Sequence, residues 1–301
     1  MGYFSQRKKH ERDYLLLNVV LITVTLLTFA SFSSEGVGRF CNLLQFHFYL
    51  ITFAALVYAL FGKFFIHAAA ALLLLIVNFG AIASAANITT NVAHDGKNNL
   101  TILYQNNVRA VEPLVVDAQK FNADIIGISL KRNPAYLPDM FGEYELVHQN
   151  DENERNFILT NKNHLRAGLI KLSPRHRASF LVFEEGDRNL VFINVDFASL
   201  RKKEEKIVFD NLAEFILAQD EPVIIAGDFG IPAWSETFKK FLAKTDLEVK
   251  NRIIMTDGKS WFNPFYIPTI NLLGYRNLGL KDVDILSAHK GSYPIKFELN
   301  F

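Results

Sequence analysis

Three long apolar runs without a formal charge crowd the first third of this chain: Tyr14 to Phe32, Leu43 to Phe61 and Phe64 to Ala86. A helix needs roughly 20 mainly apolar residues to cross the hydrocarbon core of a bilayer, where only a helix or a closed barrel satisfies its own backbone polar groups. Burying all three in a soluble bundle would require far more partner surface than so few residues can supply. The expected organisation is therefore a membrane anchor over residues 14–86, with spans at about 14–32, 43–61 and 64–86. Arg7, Lys8, Lys9 and Arg12 lie in a basic tail, residues 1–13, and Lys63 occupies the tight turn between the second and third runs. Cationic flanks stay in the cytoplasm, so an odd number of crossings carries everything after Ala86 to the opposite side. The first run is too long for the apolar core of a signal peptide, and "FASFSS" is a poor cleavage site, which favours an uncleaved span. His47, His67 and Asn78 fit helix packing, and no ion pathway is evident.

Beyond the runs the chain changes character. Residues 87–99, largely "NITTNVAHDGKNN", form a polar linker. Strand patterns then appear in "LTILY", "ADIIGISL", "YELVHQ", "RNFILTN", "AGLIKLS" and "ASFLVFEEGDRNLVFINVDF", the last folded back on itself at Gly186-Asp187. "VEPLVVDAQKF" and "KKEEKIVFDNLAEFILAQ" have helical spacing, with Pro113 tolerated in a first turn. "PVIIAGD", a helix from Ser235, and the strands "TINLL", "VDIL" and "YPIKFEL" complete the pattern. Mixed strands with intervening helices predict two packed sheets with helices outside. The nearly continuous apolar character of "PVIIAGD" and "ADIIGISL" makes them central strands, expected side by side. With 32 basic and 31 acidic side chains, charge gives no specific nucleic-acid signal. A lone Cys41 excludes an intramolecular disulfide framework.

The stretch "PVIIAGDFGIPAWSETFKKFL" (Pro222–Leu242) delivers a lone carboxylate, Asp228, to the end of a buried strand and then turns into an amphipathic helix. Here the chain resembles the endonuclease/exonuclease/phosphatase superfamily, in particular a bacterial branch with three N-terminal membrane spans. That superfamily reads Pro-hydrophobic-Gly-Asp-Phe-Asn-x-x-Pro-x-Ser before a helix. This chain supplies Pro222, Gly227, Asp228, Phe229 and Ser235, but Gly230 replaces the asparagine. The resemblance implies three transmembrane helices followed by a DNase I-like α/β four-layer sandwich over residues 100–301, two mixed sheets flanked by helices. It also implies a bacterial inner membrane, with the C-terminal domain extracytoplasmic.

The chemistry that the resemblance implies uses a divalent metal on oxygen ligands, an activated water and a His backed by an Asp. Either Asn106 or Asn107 fits the metal-side asparagine. Asp124 matches, but Leu130 stands where the metal-binding Glu belongs. Asn194 is present and Asp196 takes the place of the histidine. "IPTINLL" puts Ile270 and Asn271 at an Asp-His pair, and Lys290, Gly291 and Ser292 replace Ser, Asp and His near the end. An alternative alignment on "VDIL" would make Asp284 functional instead. Asp228, Asn194 and Asp196 thus form a catalytic set that is either vestigial or rebuilt. The expectation is a pseudoenzyme with no cofactor, binding an unknown protein or phosphate-containing ligand outside the membrane; an active protein would use Mg²⁺ or Mn²⁺.

Other groups carry less. His148, His164, His176 and His289 lack metal-ligand spacing and are expected in solvated loops or at strand edges. "SPRHR" (Ser173–Arg177) reads as an exposed basic turn, and Trp234 and Trp261 as buried.

Overall fold

A computed structural model describes residues 2–31, 41, 44–86, 99–130, 140–147, 155–251, 269–286 and 293–300. The chain divides into two compact units, Met1–Ala85 with Trp234–Glu236, and Ala86–Ala233 with Thr237–Phe301.

The first unit contains α1 (Gly2–Ala30), α2 (Gln45–Phe61) and α3 (Phe65–Ala86), at the positions of the three apolar runs. By length and composition, Lys8–Ala30 is the one helix among the described residues able to cross a membrane; Gln45–Phe61 and Phe65–Gly80 are shorter apolar helices. The helix of the second run, at 17 residues, falls short of the span expected of it, while that of the third, at 22, covers its run although its apolar stretch is shorter. Inside the unit, Leu17, Leu21, Ala55, Ala59, Ala68 and Ala71 pack together, small residues allowing close helix approach. Two polar pairs join α1 to α3: Asn18 with His67 at 3.2 Å, and Thr28 with Asn78 at 3.3 Å. The packing roles expected of His67 and Asn78 are the ones observed. Lys63, at φ 60°, closes the turn after α2 in a left-handed conformation. The linker, apart from Asn99, lies outside the described residues.

Among the described residues of the second unit, thirteen strands form two sheets. The strands are β1 (Asn99–Val108), β2 (Ile125–Leu130), β3 (Met140–Phe141), β4 (Tyr144–Leu146), β5 (Asn156–Thr160), β6 (His164–Lys171), β7 (Arg177–Glu185), β8 (Arg188–Asp196), β9 (Val223–Asp228), β10 (Glu248–Val249), β11 (Ile270–Gly274), β12 (Gly279–Ile285) and β13 (Ile295–Asn300). The helices are α4 (Glu112–Lys120), α5 (Lys202–Leu217) and α6 (Glu236–Thr245). One sheet has seven strands in the order β12-β13-β1-β2-β5-β4-β3, the other six in the order β10-β11-β9-β8-β7-β6. This is the expected mixed sandwich.

Alternation along each strand divides the core. Leu100, Ile102 and Ile125 meet Leu181, Phe192, Ile224 and Leu272 between the sheets. Leu103, Ile126 and Ile128 point the other way and pack with Leu114, Val115 and Ala118 of α4. Behind the six-stranded sheet, Phe209 of α5 and Phe238 and Phe241 of α6 join Phe197 and Phe229, with Phe229 and Phe238 centroids 5.0 Å apart. Edge-to-face rings of this kind add specificity to their area burial.

One expectation is corrected. β2 and β9 are central, but in different sheets: β2 lies between β1 and β5, and β9 between β11 and β8. Each is apolar on both faces because one face meets the opposite sheet and the other the outer layer. That demand does not require the two strands to be neighbours.

Candidate functional site

β8 and β9 run parallel with Asp196 and Asp228 in register at their C-terminal ends. Both side chains belong to the face that looks across to the seven-stranded sheet, and two residues from that sheet reach them. The Asn106 amide of β1 donates to Asp228 Oδ2 at 3.1 Å, and the Ser129 hydroxyl of β2 donates to Asp196. The geometry thus separates Asn106 from Asn107. A register shift between Gln105 and Val108 leaves Asn107 exposed at φ 53°, while Asn106 is buried against Asp228.

Asp228 is held on every side. Its Oδ1 accepts the Gly230 N–H at 2.9 Å, closing a turn, and its own N–H donates to Tyr104 Oη at 3.0 Å. Burial raises its pKa, the neighbouring Asp196 raises it further, and the hydrogen bonds from Thr269, Gly230 and Asn106 partly oppose the rise. Tyr104, wholly buried beneath it, has its phenol pushed well above the usual value, first by burial and then by the two aspartates. Asp196 Oδ1 accepts the Ala198 N–H at 3.0 Å.

Asn194, one strand alternation below Asp196, is completely buried and does something different. Its amide nitrogen donates at 2.9 Å to the carbonyls of Ile128 and Phe157, which face each other on β2 and β5. It clamps one sheet to the other.

The replaced positions do not return the missing chemistry. Leu130 turns away into the apolar cluster behind the seven-stranded sheet, and Ser129 occupies the inner face beside Asp196. Ile270 is the register partner of Asp228 on β11 and packs into the core between the sheets. Asn271 is buried and donates to the Thr269 carbonyl at 3.2 Å. Lys290, Gly291 and Ser292 lie outside the described residues. Asp284, the alternative candidate, sits on β12 in an ion cluster, 2.7 Å from Lys296, which also meets Glu298 at 2.9 Å. That cluster belongs to the seven-stranded sheet, whereas Asp228 and Asp196 end strands of the other.

Gly230 has a steric reason. It adopts φ +67°, and a Cβ placed there would lie 2.0 Å from the Phe197 carbonyl oxygen. The backbone after β8 occupies the space that any side chain at 230 would need.

His176 departs from expectation. It is buried, with Nδ1 3.1 Å from Ser173 Oγ and its ring edge-on to Phe197 at 6.3 Å. Burial lowers its pKa, against the opposing pull of Glu204 and Asp196. The "SPRHR" turn is therefore stitched into the domain, because its Ser173 caps its own hairpin through the N–H groups of Arg175 and His176. His164 is half-buried on edge strand β6, as expected of it, whereas His148, His289 and Trp261 lie outside the described residues. Trp234 is buried. Ser129, Tyr104 and Thr269 were not singled out from the sequence; a hydroxyl residue at a strand end carries no signal until the facing sheet is known.

No protein-family model and no curated protein matches the sequence. Solved structures do share the fold. A humanized D. rerio TDP2 matches with a TM-score of 0.54 at 11% identity, covering 67% of this chain and 99% of that one. An endonuclease/exonuclease/phosphatase from Bacteroides vulgatus matches with a TM-score of 0.53 at 11% identity, covering 68% and 100%. A family protein of the same description from Bacteroides thetaiotaomicron matches with a TM-score of 0.50 at 17% identity, covering 67% and 95%. The fold of the second unit is thus that of endonuclease/exonuclease/phosphatase structures.

A Mg²⁺-type ion of the kind that this fold family implies takes about six oxygens, one or two of them from carboxylates and the rest from water or phosphate. At this rim Asp196 and Asp228 are already engaged by Ser129, Asn106 and backbone N–H groups. Among the described residues no group of three or more His, Cys, Asp or Glu could hold a metal.

Proposed function

We propose that this chain is a membrane-anchored member of the endonuclease/exonuclease/phosphatase superfamily in which the hydrolytic site has been converted into structure, leaving a binding or scaffolding domain. The single observation that carries the reading is Gly230, at the position of the family's asparagine, where a Cβ would lie 2.0 Å from the Phe197 carbonyl oxygen. Ile270 beside Asp228 and Leu130 turned outward support it. Losing one member of a cooperating catalytic set commonly costs on the order of 10⁴-fold or more.

The anchor reading rests on the outward faces of α1, α2 and α3. Leu15 is 64% exposed, Leu26 66%, Ile66 81% and Leu73 65%, which suits lipid and not water. All three helices then span or enter the membrane, the N-terminus stays cytoplasmic, and the second unit is extracytoplasmic, binding a protein or a phosphate-containing ligand.

The purified full chain, assayed with Mg²⁺, Mn²⁺ or Ca²⁺ on DNA, sphingomyelin and aryl phosphates, should behave like buffer. Turnover abolished by Asp228→Ala would overturn the reading. One observation favours the rival, an active site rebuilt on Asp196 and Asp228: the two carboxylates are register partners. A Mn²⁺ affinity lost on Asp228→Ala and on Asp196→Ala would support it.

A further inference from the structure

Ser173 Oγ is saturated as an acceptor. It takes the Arg175 N–H at 3.2 Å and the His176 N–H at 3.1 Å, which engages both lone pairs of a hydroxyl. Its contact with His176 Nδ1, at 3.1 Å, then has one sense: the serine O–H donates and Nδ1 accepts. The imidazole is therefore neutral, with its proton on Nε2. That Nε2 is buried and has no hydrogen-bond partner among the described residues.

The turn is tied to elements on both sides. The Leu172 and Ser173 N–H groups each donate to the His176 carbonyl at 3.0 Å, and Asn211 Nδ2 of α5 donates to the Leu172 carbonyl at 2.7 Å. Arg177, next in the chain, accepts from Asn156 Nδ2 at 3.0 Å through its carbonyl, and Asn156 is the register partner of Ser129, which holds Asp196. The end of the β6–β7 hairpin is thus continuous with the rim.

A proton on Nδ1 would set donor against donor. Ser173 would have to turn its O–H away and give up a backbone N–H before it could accept from the ring, and the new cation would be buried. The charged groups about the ring are Glu204 of α5, Asp196 of β8 and Arg175 of the turn itself; the two acids favour the cation, Arg175 opposes it, and burial outweighs the acids. Glu204 Oε2 is also buried without a hydrogen-bond partner among the described residues, an acceptor for an imidazolium that has left Ser173.

We propose that the Ser173–His176 turn is an acid-operated latch, shut while Nδ1 accepts the serine proton and released when Nδ1 takes a proton from solution. The closed turn binds that proton less readily than an open one. Closure is therefore complete above the ordinary histidine value of about 6.5 and is lost as pH falls below it. Release loosens the start of β7 beside Asn156, so the rim responds to mild acid whether it binds or hydrolyses.

The test is hydrogen exchange of the purified full chain at pH 7.5 and 5.0, corrected for the intrinsic pH dependence of exchange. Protection of residues 172–176 should fall by about fivefold or more at the lower pH, while β9 stays protected. His176→Asn, which keeps an acceptor near the place of Nδ1 but cannot take the proton, should abolish the step. Glu204→Gln, which leaves the ring in place, should move it to lower pH. A flat native profile, an unchanged step in either variant, or loss of protection in β9 together with the turn overturns the proposal.

Discussion

Asn106 and Asp228, 122 positions apart in the chain, meet through one hydrogen bond of 3.1 Å that crosses from the seven-stranded sheet to the six-stranded one. The pair joins a β-bulge to a strand end, and it holds a buried carboxylate whose own charge is costly there.

That cost predicts a pH effect. Burial and Asp196 raise the folded pKa of Asp228 above its unfolded value, so the folded state binds the proton more tightly. Stability then falls as pH rises through the window from the unfolded to the folded pKa, and the penalty is complete above it. Asp228→Asn should raise the stability of the full chain at pH 7 by about 1 kcal/mol, a common size for a single stabilising substitution. The gain should shrink as pH drops into the ordinary carboxylate range, which thermal melts at several pH values would show. A destabilised variant at pH 7 would argue that the charge itself is needed.

Gly230 should resist replacement. Asn tolerates a positive φ, yet its Cβ would sit 2.0 Å from the Phe197 oxygen. Gly230→Asn is expected to cost about 3 kcal/mol from overpacking and backbone strain. That corresponds to a melting temperature lower by about 6–12 °C, with no hydrolytic activity gained.

Asn194 should matter for folding. Removing its amide leaves the Ile128 and Phe157 carbonyls without that donor between the sheets. Asn194→Leu and Asn194→Ala should each destabilise the domain by about 2–4 kcal/mol, measured by denaturant midpoint. Asn194→Asp should be worse, since it offers an acceptor to two acceptors.

Protease added to intact spheroplasts should digest the domain beyond the third helix and spare the basic N-terminus. Full protection of the domain would reverse the orientation drawn from Lys8, Lys9, Arg12 and Lys63.

Local pattern carried much of this architecture. The alternation in "ASFLVFEEGDRNLVFINVDF" marks the β7–β8 hairpin, and Gly186, at φ 61°, sits in its turn. Two-residue strands such as β3 and β10 have no periodicity to read, and the assignment of β2 and β9 to separate sheets is a property of pairing that strand composition does not encode. At the site, Asp228 and Asp196 were visible because strand ends in a known motif are countable. Ser129 is not marked in this way, because the motif position falls on Leu130, and a shift of one residue turns a side chain to the opposite face. His176 looked solvated because its neighbours are basic, while its burial comes from a hydrogen bond to Ser173 and the ring of Phe197.

The pairing of β1 with β13 sets a schedule for biosynthesis. Asn99 lies opposite Asn300 and Tyr104 opposite Ile295, so the first strand of the domain takes one of its two neighbours from the far end of the domain sequence. The seven-stranded sheet cannot close until synthesis has delivered that segment, long after the helices of the first unit have emerged. Non-local pairing of this kind is slow, and in the meantime β1 presents an unsatisfied edge. Translation that stalls before Ile295 would leave a chain with β1 unpaired on one side, a substrate for quality-control proteases rather than a shortened but working domain.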